Sequence, residues 1–295
     1  MTAQIINGKE IAAEMRTQIA LQVADIKKDF KVTPGLAVIL VGSDPASEIY
    51  VGSKEKAAHS VGMNSIQIKM ASDVSEEDLI DKIKDLNEDS KVHGILVQLP
   101  LPKHISTRTV IRSINHRKDV DGFNMINVGK LSVGELEVED KAMVPCTPLG
   151  CVHLIKHAKG NDLAGLKTLV IGSSNIVGRP LARLLMLENC TVTVANRSTK
   201  DLKAECLRAD VVISAAGVPG LVKADMIAEG TTVIDVGINR IINAEGKSKL
   251  VGDVDFINVE KKASAITPVP GGVGPMTIAY LLKNTLDCCL KLVKK

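Results

Sequence analysis

The feature that most constrains the fold is a regular alternation of short apolar runs with longer amphipathic segments. The first half of the chain has three predicted strands, at 35–42, 65–70 and 94–102, and three predicted helices, at 8–30, 46–62 and 75–87. Apolar strands that alternate with helices are typical of a parallel sheet with right-handed crossover connections. The alternation therefore predicts an α/β fold.

The alternation begins again near residue 166. This second series has four predicted strands, at 166–172, 190–196, 209–217 and 230–239, and a predicted helix follows the first of them. Between the two series, segment 115–148 is rich in Gly and Asp and has little periodicity, so we predict a functional loop there. A helix is predicted at 149–159. A chain of 295 residues suits two domains of ordinary size.

Composition excludes several classes of protein. The formal charge of +3 gives no sign of a nucleic-acid partner or of a polybasic membrane patch. We expect no signal peptide, because the N-terminal segment MTAQIINGKEIAAEMR has charges early and lacks an apolar region. We expect no membrane span, because no apolar run approaches the roughly 18 residues that a span needs. Six Cys without a CxxC spacing predict free thiols in a reducing compartment, hence a cytoplasmic location. His153 and His157 lack an acidic partner nearby, so no metal site is expected.

Segment 170–180, VIGSSNIVGRP, joins a predicted strand to a predicted helix. Such a turn offers backbone N–H groups and the positive end of a helix dipole to a pyrophosphate. The dinucleotide fingerprint is GxGxxG, and its three glycine positions are occupied here by Gly172, Ser174 and Val177, with Gly178 one position late. The turn indicates a dinucleotide site in its strand–helix context, but an ordinary strand–helix turn stays open as the alternative.

The end of the next predicted strand bears on the choice of cofactor. NAD-selective sites usually have an acidic residue there, which binds the ribose 2′-hydroxyl. This chain has Arg197 in the sequence NRSTK, and its planar guanidinium could pair with a 2′-phosphate. We therefore expect NADP rather than NAD, unless Arg197 is a solvated turn residue.

Four polar residues in the first half are candidates for chemistry. Tyr50 and Lys54 lie four residues apart on a predicted helix, and therefore on one face of it. Gln98 ends an apolar strand, at the edge where open α/β sheets bind ligands. Asp121 lies in the glycine-containing loop KDVDGFN. Each also has an ordinary interpretation, as a solvated helix residue, a backbone-capping amide or a turn aspartate.

Seven motifs in order, together with the N-terminal IINGKEIA, support a more specific hypothesis. They are YVGSKEK (50–56), VQLPLP (97–102), KDVDGFN (118–124), PCTPLG (145–150), GSSNIVGRP (172–180), DVGIN (235–239) and PVPGGVGPMT (268–277). On these motifs, the chain resembles the bifunctional methylenetetrahydrofolate dehydrogenase/methenyltetrahydrofolate cyclohydrolase family over essentially its whole length.

The resemblance implies roles for individual residues. Lys54 is similar to the family's catalytic lysine, needed chiefly for the hydrolytic step, and Tyr50 to the aromatic residue that stacks on the folate. Gln98 resembles the glutamine that orients the lysine, and Asp121 the carboxylate that binds the pterin ring. Further expected folate-binding residues are Val97, Leu99, Pro270, Gly271, Gly272, Val273 and Gly274. Expected cofactor-binding residues are Gly172, Ser173, Ser174, Arg197 and Ile238.

The resemblance also implies an architecture. We expect a folate-binding and catalytic α/β domain at 1–148 plus 271–295, and a Rossmann-like NADP-binding domain at 149–270. The family is typically a homodimer. One departure concerns the cofactor: many members have Arg at position 173, where this chain has Ser173, and we expect Arg197 to supply the phosphate contact instead.

The predicted reaction has two steps at one carbon. The folate's methylene carbon gives up a hydride, water then attacks the methenyl product, and ring opening yields 10-formyltetrahydrofolate. Three alternatives stand beside it. They are a dehydrogenase without cyclohydrolase activity, a shikimate-type dehydrogenase, which would need a different substrate motif, and a non-catalytic NAD(P)-sensing module.

Overall fold

The computed structural model describes residues 2–136, 141–242 and 248–293. The chain divides into two compact units. Unit 1 is Met1–Ala12 with Thr147–Thr277, and unit 2 is Ala13–Cys146 with Ile278–Lys295. These units are defined by their compactness, whereas the domains predicted from the sequence were defined by the ligand that each is expected to bind. The boundaries of the predicted domains therefore stay a prediction.

The secondary structure alternates along most of the chain. The strands are β1 (Gln4–Ile5), β2 (Gly35–Val41), β3 (Asn64–Met70), β4 (Gly94–Val97), β5 (Lys167–Ile171), β6 (Thr191–Ala195), β7 (Val211–Ser214), β8 (Thr232–Asp235), β9 (Asn239–Ile242), β10 (Ser248–Val251) and β11 (Ala265–Ile266). The α-helices are α1 (Gly8–Phe30), α2 (Pro45–Ser60), α3 (Glu76–Glu88), α4 (Thr107–Ser113), α5 (Met125–Val133), α6 (Cys146–Lys159), α7 (Gly178–Leu187), α8 (Leu202–Leu207), α9 (Phe256–Val259) and α10 (Val273–Val293).

Unit 1 contains a six-stranded sheet in the order β1-β11-β8-β7-β5-β6, with all its strands parallel. Strands β7 and β8 are buried along their whole length, as expected for central strands of a parallel sheet that is covered on both faces. Because the strands are parallel, the carboxyl ends of β5, β7 and β8 lie at one edge of the sheet. The turn that begins at Gly172 therefore lies beside the segments that follow β7 and β8.

Unit 2 contains a three-stranded parallel sheet in the order β3-β2-β4. The central strand β2 is buried at every position. One face of the sheet packs against the apolar side of α3, where Leu79 and Ile83 are fully buried. The other face packs against Val51 of α2 and Leu281 of α10. The carboxyl end of β4 and the start of α2 belong to this unit.

The predicted fold class is confirmed, because both units contain parallel sheets with helical connections. The prediction of a long loop at 115–148 was wrong in part, since α5 lies within it. Asn124 caps the start of that helix through its side chain, and Gly134 ends it in a left-handed conformation. An antiparallel hairpin, β9 and β10, also went unpredicted. Residues 137–140 of the predicted loop lie outside the described residues.

Among the described residues, no helix is both long enough and apolar enough to cross a membrane. The same part of the chain contains no group of three His, Cys, Asp or Glu side chains arranged to bind a metal ion.

Candidate active site

Lys54 and Tyr50 lie on one face of α2. Asp44 fixes the start of this helix, because its carboxylate accepts hydrogen bonds from the backbone N–H and the hydroxyl of Ser47, each at 2.8 Å. The Lys54 Nζ atom lies 4.8 Å from the centroid of the Tyr50 ring, within cation–π range. Lys54 is only 5% exposed, so the interpretation of a solvated helix lysine fails.

Gln98 binds this lysine directly. Lys54 Nζ donates to Gln98 Oε1 at 2.9 Å, and Gln98 Nε2 donates to the Leu99 carbonyl oxygen at 2.7 Å. The Gln98 backbone N–H donates to the Ile39 carbonyl oxygen of β2 at 2.8 Å, which extends the sheet by one residue. The amide therefore has a fixed orientation, with its oxygen towards the lysine.

The ammonium of Lys54 is in an unfavourable environment. Burial lowers its pKa, and the negative charge of Asp121 opposes that shift. A lowered lysine pKa enlarges the fraction of neutral amine near neutral pH. Lys54 can therefore act as a base while Gln98 holds its position.

Asp121 shows the converse effect. Burial raises the pKa of its carboxyl to about 6, although the positive charge of Lys54 acts in the opposite direction. Opposite shifts in two neighbouring groups are typical of sites that transfer protons or bind polar ligands. Asp121 also lines an apolar pocket together with Val97 and Leu99, two of the predicted folate-binding residues.

The loop that bears Asp121 depends on Asp119, which the sequence analysis did not single out. Asp119 is 1% exposed. Its carboxylate accepts from the backbone N–H groups of Gly122 and Asn124, at 3.1 and 2.8 Å, and from Asn127 Nδ2 at 2.9 Å. The repeated Asp in KDVDG was the available signal, since an aspartate often closes a turn on the next backbone N–H groups.

Cys146 was also missed by sequence reasoning. Its thiol is buried and donates to the Val120 carbonyl oxygen at 3.4 Å. Burial raises the pKa of this thiol well above its usual value, and the charge of Asp121 raises it further. Asn284 of α10 donates to the Val120 and Val144 carbonyl oxygens at 2.8 and 2.9 Å. These contacts join segments distant in sequence, so spacing alone could not reveal them.

In unit 1, the turn after β5 has the geometry of a dinucleotide-binding turn. Gly172 has a φ of 119°, a conformation that L side chains rarely adopt. A Cβ at Gly178 would overlap the carbonyl oxygen of Gly172, so α7 approaches the turn as closely as a glycine allows. The late glycine of the motif therefore provides the close packing of helix against strand that the fingerprint's last glycine usually provides.

The other predicted cofactor residues lie along the carboxyl edge of the same sheet. Ser174 is exposed in the turn, and its Oγ accepts from the Val177 backbone N–H at 3.2 Å. Arg197 is exposed just after β6 and makes no ion pair with any residue that the structure describes. Ile238 follows β8 and is 58% exposed. Ser173 is partly buried beside Gly172.

The predicted folate loop, 270–274, belongs to unit 1. Gly271 has a φ of 112°, and its carbonyl oxygen accepts from the Lys9 backbone N–H at 3.0 Å. A Cβ at Gly272 would lie 2.6 Å from the Pro268 carbonyl oxygen, so a larger residue would displace the loop. A Cβ at Gly274 would lie 3.9 Å from Ile238 Cδ1, which makes a predicted folate residue the neighbour of a predicted cofactor residue.

These features define an α/β protein of two units, one with a dinucleotide-type turn and the other with a buried lysine and carboxylate. The description of one matching family model is "Tetrahydrofolate dehydrogenase/cyclohydrolase, catalytic domain", and it matches residues 6–121. A second, described as the NAD(P)-binding domain of the same enzymes, matches residues 145–293. The chain belongs to the tetrahydrofolate dehydrogenase/cyclohydrolase family.

Individual relatives agree over nearly the whole chain. The chain is 52% identical to the bifunctional protein FolD of Zymomonas mobilis over 98% of both sequences. It is 46% identical to a bifunctional dehydrogenase/cyclohydrolase structure from Campylobacter jejuni, with a TM-score of 0.91 over 97% of this chain and 98% of that one. The enzyme of Trypanosoma brucei, solved with NADP and an inhibitor, is 36% identical with a TM-score of 0.94 over all of both chains. The family and enzyme class expected from the sequence are confirmed.

Proposed function

We propose that this protein oxidises 5,10-methylenetetrahydrofolate with NADP⁺ and then hydrolyses 5,10-methenyltetrahydrofolate to 10-formyltetrahydrofolate. The observation that supports this most directly is the buried Lys54 amine, which Gln98 holds at 2.9 Å. The same chain contains the dinucleotide-type turn at Gly172. A dehydrogenase alone would have no need for a lysine of lowered pKa held in this way.

The residues at the carboxyl edge of the unit 1 sheet fit NADP⁺, which supplies a hydride acceptor when bound. Gly172, Ser173 and Ser174 would face the pyrophosphate at the start of α7, since helix N-termini favour anions. Arg197 would pair with the 2′-phosphate, because its guanidinium is exposed at the end of β6. Ile238 would pack against the cofactor with its exposed apolar side chain.

The hydrolytic step uses the groups of unit 2. Lys54, in its neutral form, would accept the proton of the attacking water, and the resulting ammonium would later return a proton to the ring nitrogen that leaves. Gln98 would keep the amine in place during both transfers. Tyr50 would stack on the folate, and the Asp121 carboxylate would accept hydrogen bonds from N–H groups of the pterin.

A Lys54→Met variant separates the two activities. Wild-type protein should form NADPH from methylenetetrahydrofolate and consume the methenyl product. We expect the variant to keep forming NADPH while cyclohydrolase activity falls by about 10²-fold or more, the usual contribution of a positioned base. Lys56→Met is the matched control, because Lys56 is exposed on the same helix and should leave both activities unchanged.

The outcomes of this assay separate the candidate functions. Failure of the wild-type protein to reduce either NADP⁺ or NAD⁺ would overturn the proposal and favour an NAD(P)-sensing module. Reduction without consumption of the methenyl product would favour a dehydrogenase that lacks cyclohydrolase activity. Faster reduction of NAD⁺ than of NADP⁺ would contradict the role given to Arg197.

The assembly is proposed to be a homodimer formed by unit 1. Three apolar side chains of the β9–β10 hairpin are exposed, namely Ile241, Ile242 and Leu250. Strand β6 is an edge of the sheet, and its Val194 is 40% exposed. Exposed apolar side chains on an open sheet edge are typical of surfaces that bind another chain. Sedimentation should show a dimer that Ile242→Glu weakens; a wild-type monomer would contradict the proposal.

A cytoplasmic location is proposed on the chemistry of the thiols. All six Cys are free and buried. Free thiols are common in reducing compartments, whereas secreted proteins of this size often pair them. Fractionation of cells that express a tagged chain would test this, and recovery in a membrane or extracellular fraction would contradict it.

A further inference from the structure

Two buried carboxylates in unit 1 have no role in the mechanism described above. Asp235 ends β8 and is 3% exposed, and Asp253 follows β10 and is fully buried. Asp235 accepts from the backbone N–H groups of Gly237, Asp253 and Val254, at 3.0, 2.9 and 3.0 Å. It therefore ties the segment after β8 to the segment after β10.

Asp253 makes a complementary set of contacts. Its Oδ2 atom accepts from the Ala216 and Gly217 backbone N–H groups at 2.8 and 3.0 Å, and from Ser214 Oγ at 3.3 Å. Its Oδ1 atom accepts from Asn239 Nδ2 at 2.9 Å. One carboxylate thus connects the loop after β7 to the segment after β8.

Two glycines make this arrangement possible. A Cβ at Gly237 would overlap the Asp253 carboxylate, and a Cβ at Gly252 would overlap the Asp235 carboxylate. At these two positions the backbone comes so close to a carboxylate that only glycine fits. A buried carboxylate is stable when N–H groups solvate it in place of water, and both have such partners.

The segments held in this way lie at the edge of the sheet where the cofactor is proposed to bind. The Ala215 backbone N–H donates to the Ile171 carbonyl oxygen at 2.8 Å, which places the loop after β7 beside the turn at Gly172. The Val236 backbone N–H donates to the Ser214 carbonyl oxygen at 2.8 Å, which places the next segment beside that loop. Parallel sheets bind dinucleotides at this edge.

Ile238 lies between the two fixed points. Its neighbour Gly237 donates to Asp235, and its neighbour Asn239 donates to Asp253. Because the Ile238 side chain is 58% exposed, packing constrains it less than a buried side chain, and its position depends on the backbone that its neighbours hold. Its Cδ1 atom is also the nearest neighbour of a Cβ built on Gly274.

We infer that Asp253, together with Asp235, is a positioning residue for the nicotinamide cofactor. It would act through the loop at Ala216–Gly217 and through Ile238, not by contact with the cofactor, because hydrogen bonds within the protein occupy both of its oxygens. The inference rests on the proposed function, which assigns Ile238 and the turn at Gly172 to the cofactor site. Its consequence is that one buried carboxylate controls the dehydrogenase activity and not the cyclohydrolase activity.

The variant Asp253→Asn tests this role. Asparagine has nearly the same size, but its NH₂ group would face N–H donors that now meet an oxygen. We expect the KM for NADP⁺ to rise about tenfold or more, since hydrogen bonds to a charged group contribute at that level. The cyclohydrolase kcat, measured on methenyltetrahydrofolate without NADP⁺, should stay within about twofold of wild type, because Lys54, Gln98 and Asp121 lie in the other unit.

Asp210→Asn is the matched control. Asp210 Oδ2 accepts from the Lys167 backbone N–H at 2.8 Å, at the amino end of β5 in the same sheet. This variant also loses a carboxylate–backbone hydrogen bond in unit 1, but away from the proposed cofactor edge. Its KM for NADP⁺ should stay at the wild-type value.

The outcomes distinguish positioning from general stability. An unchanged KM for NADP⁺ in Asp253→Asn would overturn the inference, as would an equal loss of both activities or an equal rise in the control. If Asp253→Asn does not fold, Asn239→Ala decides, since it removes only the contact beside Ile238; it should raise the KM for NADP⁺ severalfold, and no rise would overturn the inference. A wild-type protein that reduces no cofactor would instead overturn the proposed function.

Discussion

The two units build their candidate sites in different ways, although both use the edge of a parallel sheet. In unit 2 the site consists of side chains whose charges are set by burial, with Lys54 and Asp121 shifted in opposite directions. In unit 1 the site is mainly backbone, shaped by close glycine contacts at Gly172 and Gly178 and by two buried aspartates. The first arrangement can move protons, whereas the second can only hold a ligand in place.

The difference implies different sensitivities to substitution. A side-chain site should tolerate small changes in the backbone and fail when one polar group is lost. A site made mainly of backbone should fail when a Cβ enters a close contact, and it should tolerate changes in exposed side chains other than Arg197 and Ile238.

Adding a methyl group at Gly178 should produce the largest effect. In Gly178→Ala the new Cβ would overlap the Gly172 carbonyl oxygen, so α7 and the turn must separate. We expect the free energy of unfolding to fall by about 2–3 kcal/mol, as for overpacked cores, and the KM for NADP⁺ to rise. Guanidinium denaturation and steady-state kinetics would measure both.

The matched control is Gly129→Ala in α5 of unit 2. A Cβ there would meet no atom within 4 Å. Alanine is favoured over glycine within a helix, so this variant should be more stable by about 0.5–1 kcal/mol. A Gly178→Ala protein as stable as wild type would mean that the turn is not defined by close packing.

Loss of the Gln98 amide should affect only the site in unit 2. Gln98→Leu removes the acceptor for Lys54 Nζ, and we expect cyclohydrolase kcat to fall by about 10- to 100-fold. The dissociation constant for NADP⁺ should not change. Gln22→Leu, at an exposed position of α1, is the control. A loss of NADP⁺ affinity in Gln98→Leu as large as the fall in cyclohydrolase kcat would show that the two sites are not independent.

A smaller effect is expected from the titration of Asp121. Its pKa is about 6 in the folded protein and near 3.8 without the fold, so the folded state binds the proton more tightly. The resulting stabilisation is complete below about pH 4 and disappears as the pH rises through about 6. Relative to Asp121→Asn, the wild type should therefore lose about 1 kcal/mol between about pH 5 and pH 7 in denaturant titrations. A difference that is independent of pH would show that the carboxyl titrates normally.

The regular part of the fold was predictable from the sequence because its cause is local. The helix at 8–30 has the observed bounds of α1, and the predicted strands at 35–42 and 65–70 agree with β2 and β3. Two-residue strands such as β1 and β11 have no periodicity to recognise, and they exist only through their pairing in the sheet. The sequence contains the residues that cap α5, Asn124 and Gly134. They did not stand out as helix ends, because the whole segment 115–148 is rich in Gly and Asp.

Candidate site residues could be predicted from the sequence where their position within a single helix or strand brings them together or places them at a ligand-binding edge. Tyr50 and Lys54 share a helix face, and Gln98 ends a strand, so the sequence could propose them. The supporting residues were not predictable, because contacts distant in the sequence define them. Asp253 accepts from Ala216, 37 residues away, and Asn284 donates to Val120, 164 residues away.

The buried thiols turn out to be evenly shared between the units. Unit 1 contains Cys151, Cys190 and Cys206, and unit 2 contains Cys146, Cys288 and Cys289. Burial raises the pKa of Cys151 to about 12 and that of Cys289 to about 11. Because the thiolate is the form that reacts with alkylating reagents, these cysteines should react only slowly while they are buried. The buried thiols therefore report local unfolding. The order in which the six cysteines become alkylated would show which of the two units exposes its core to solvent first.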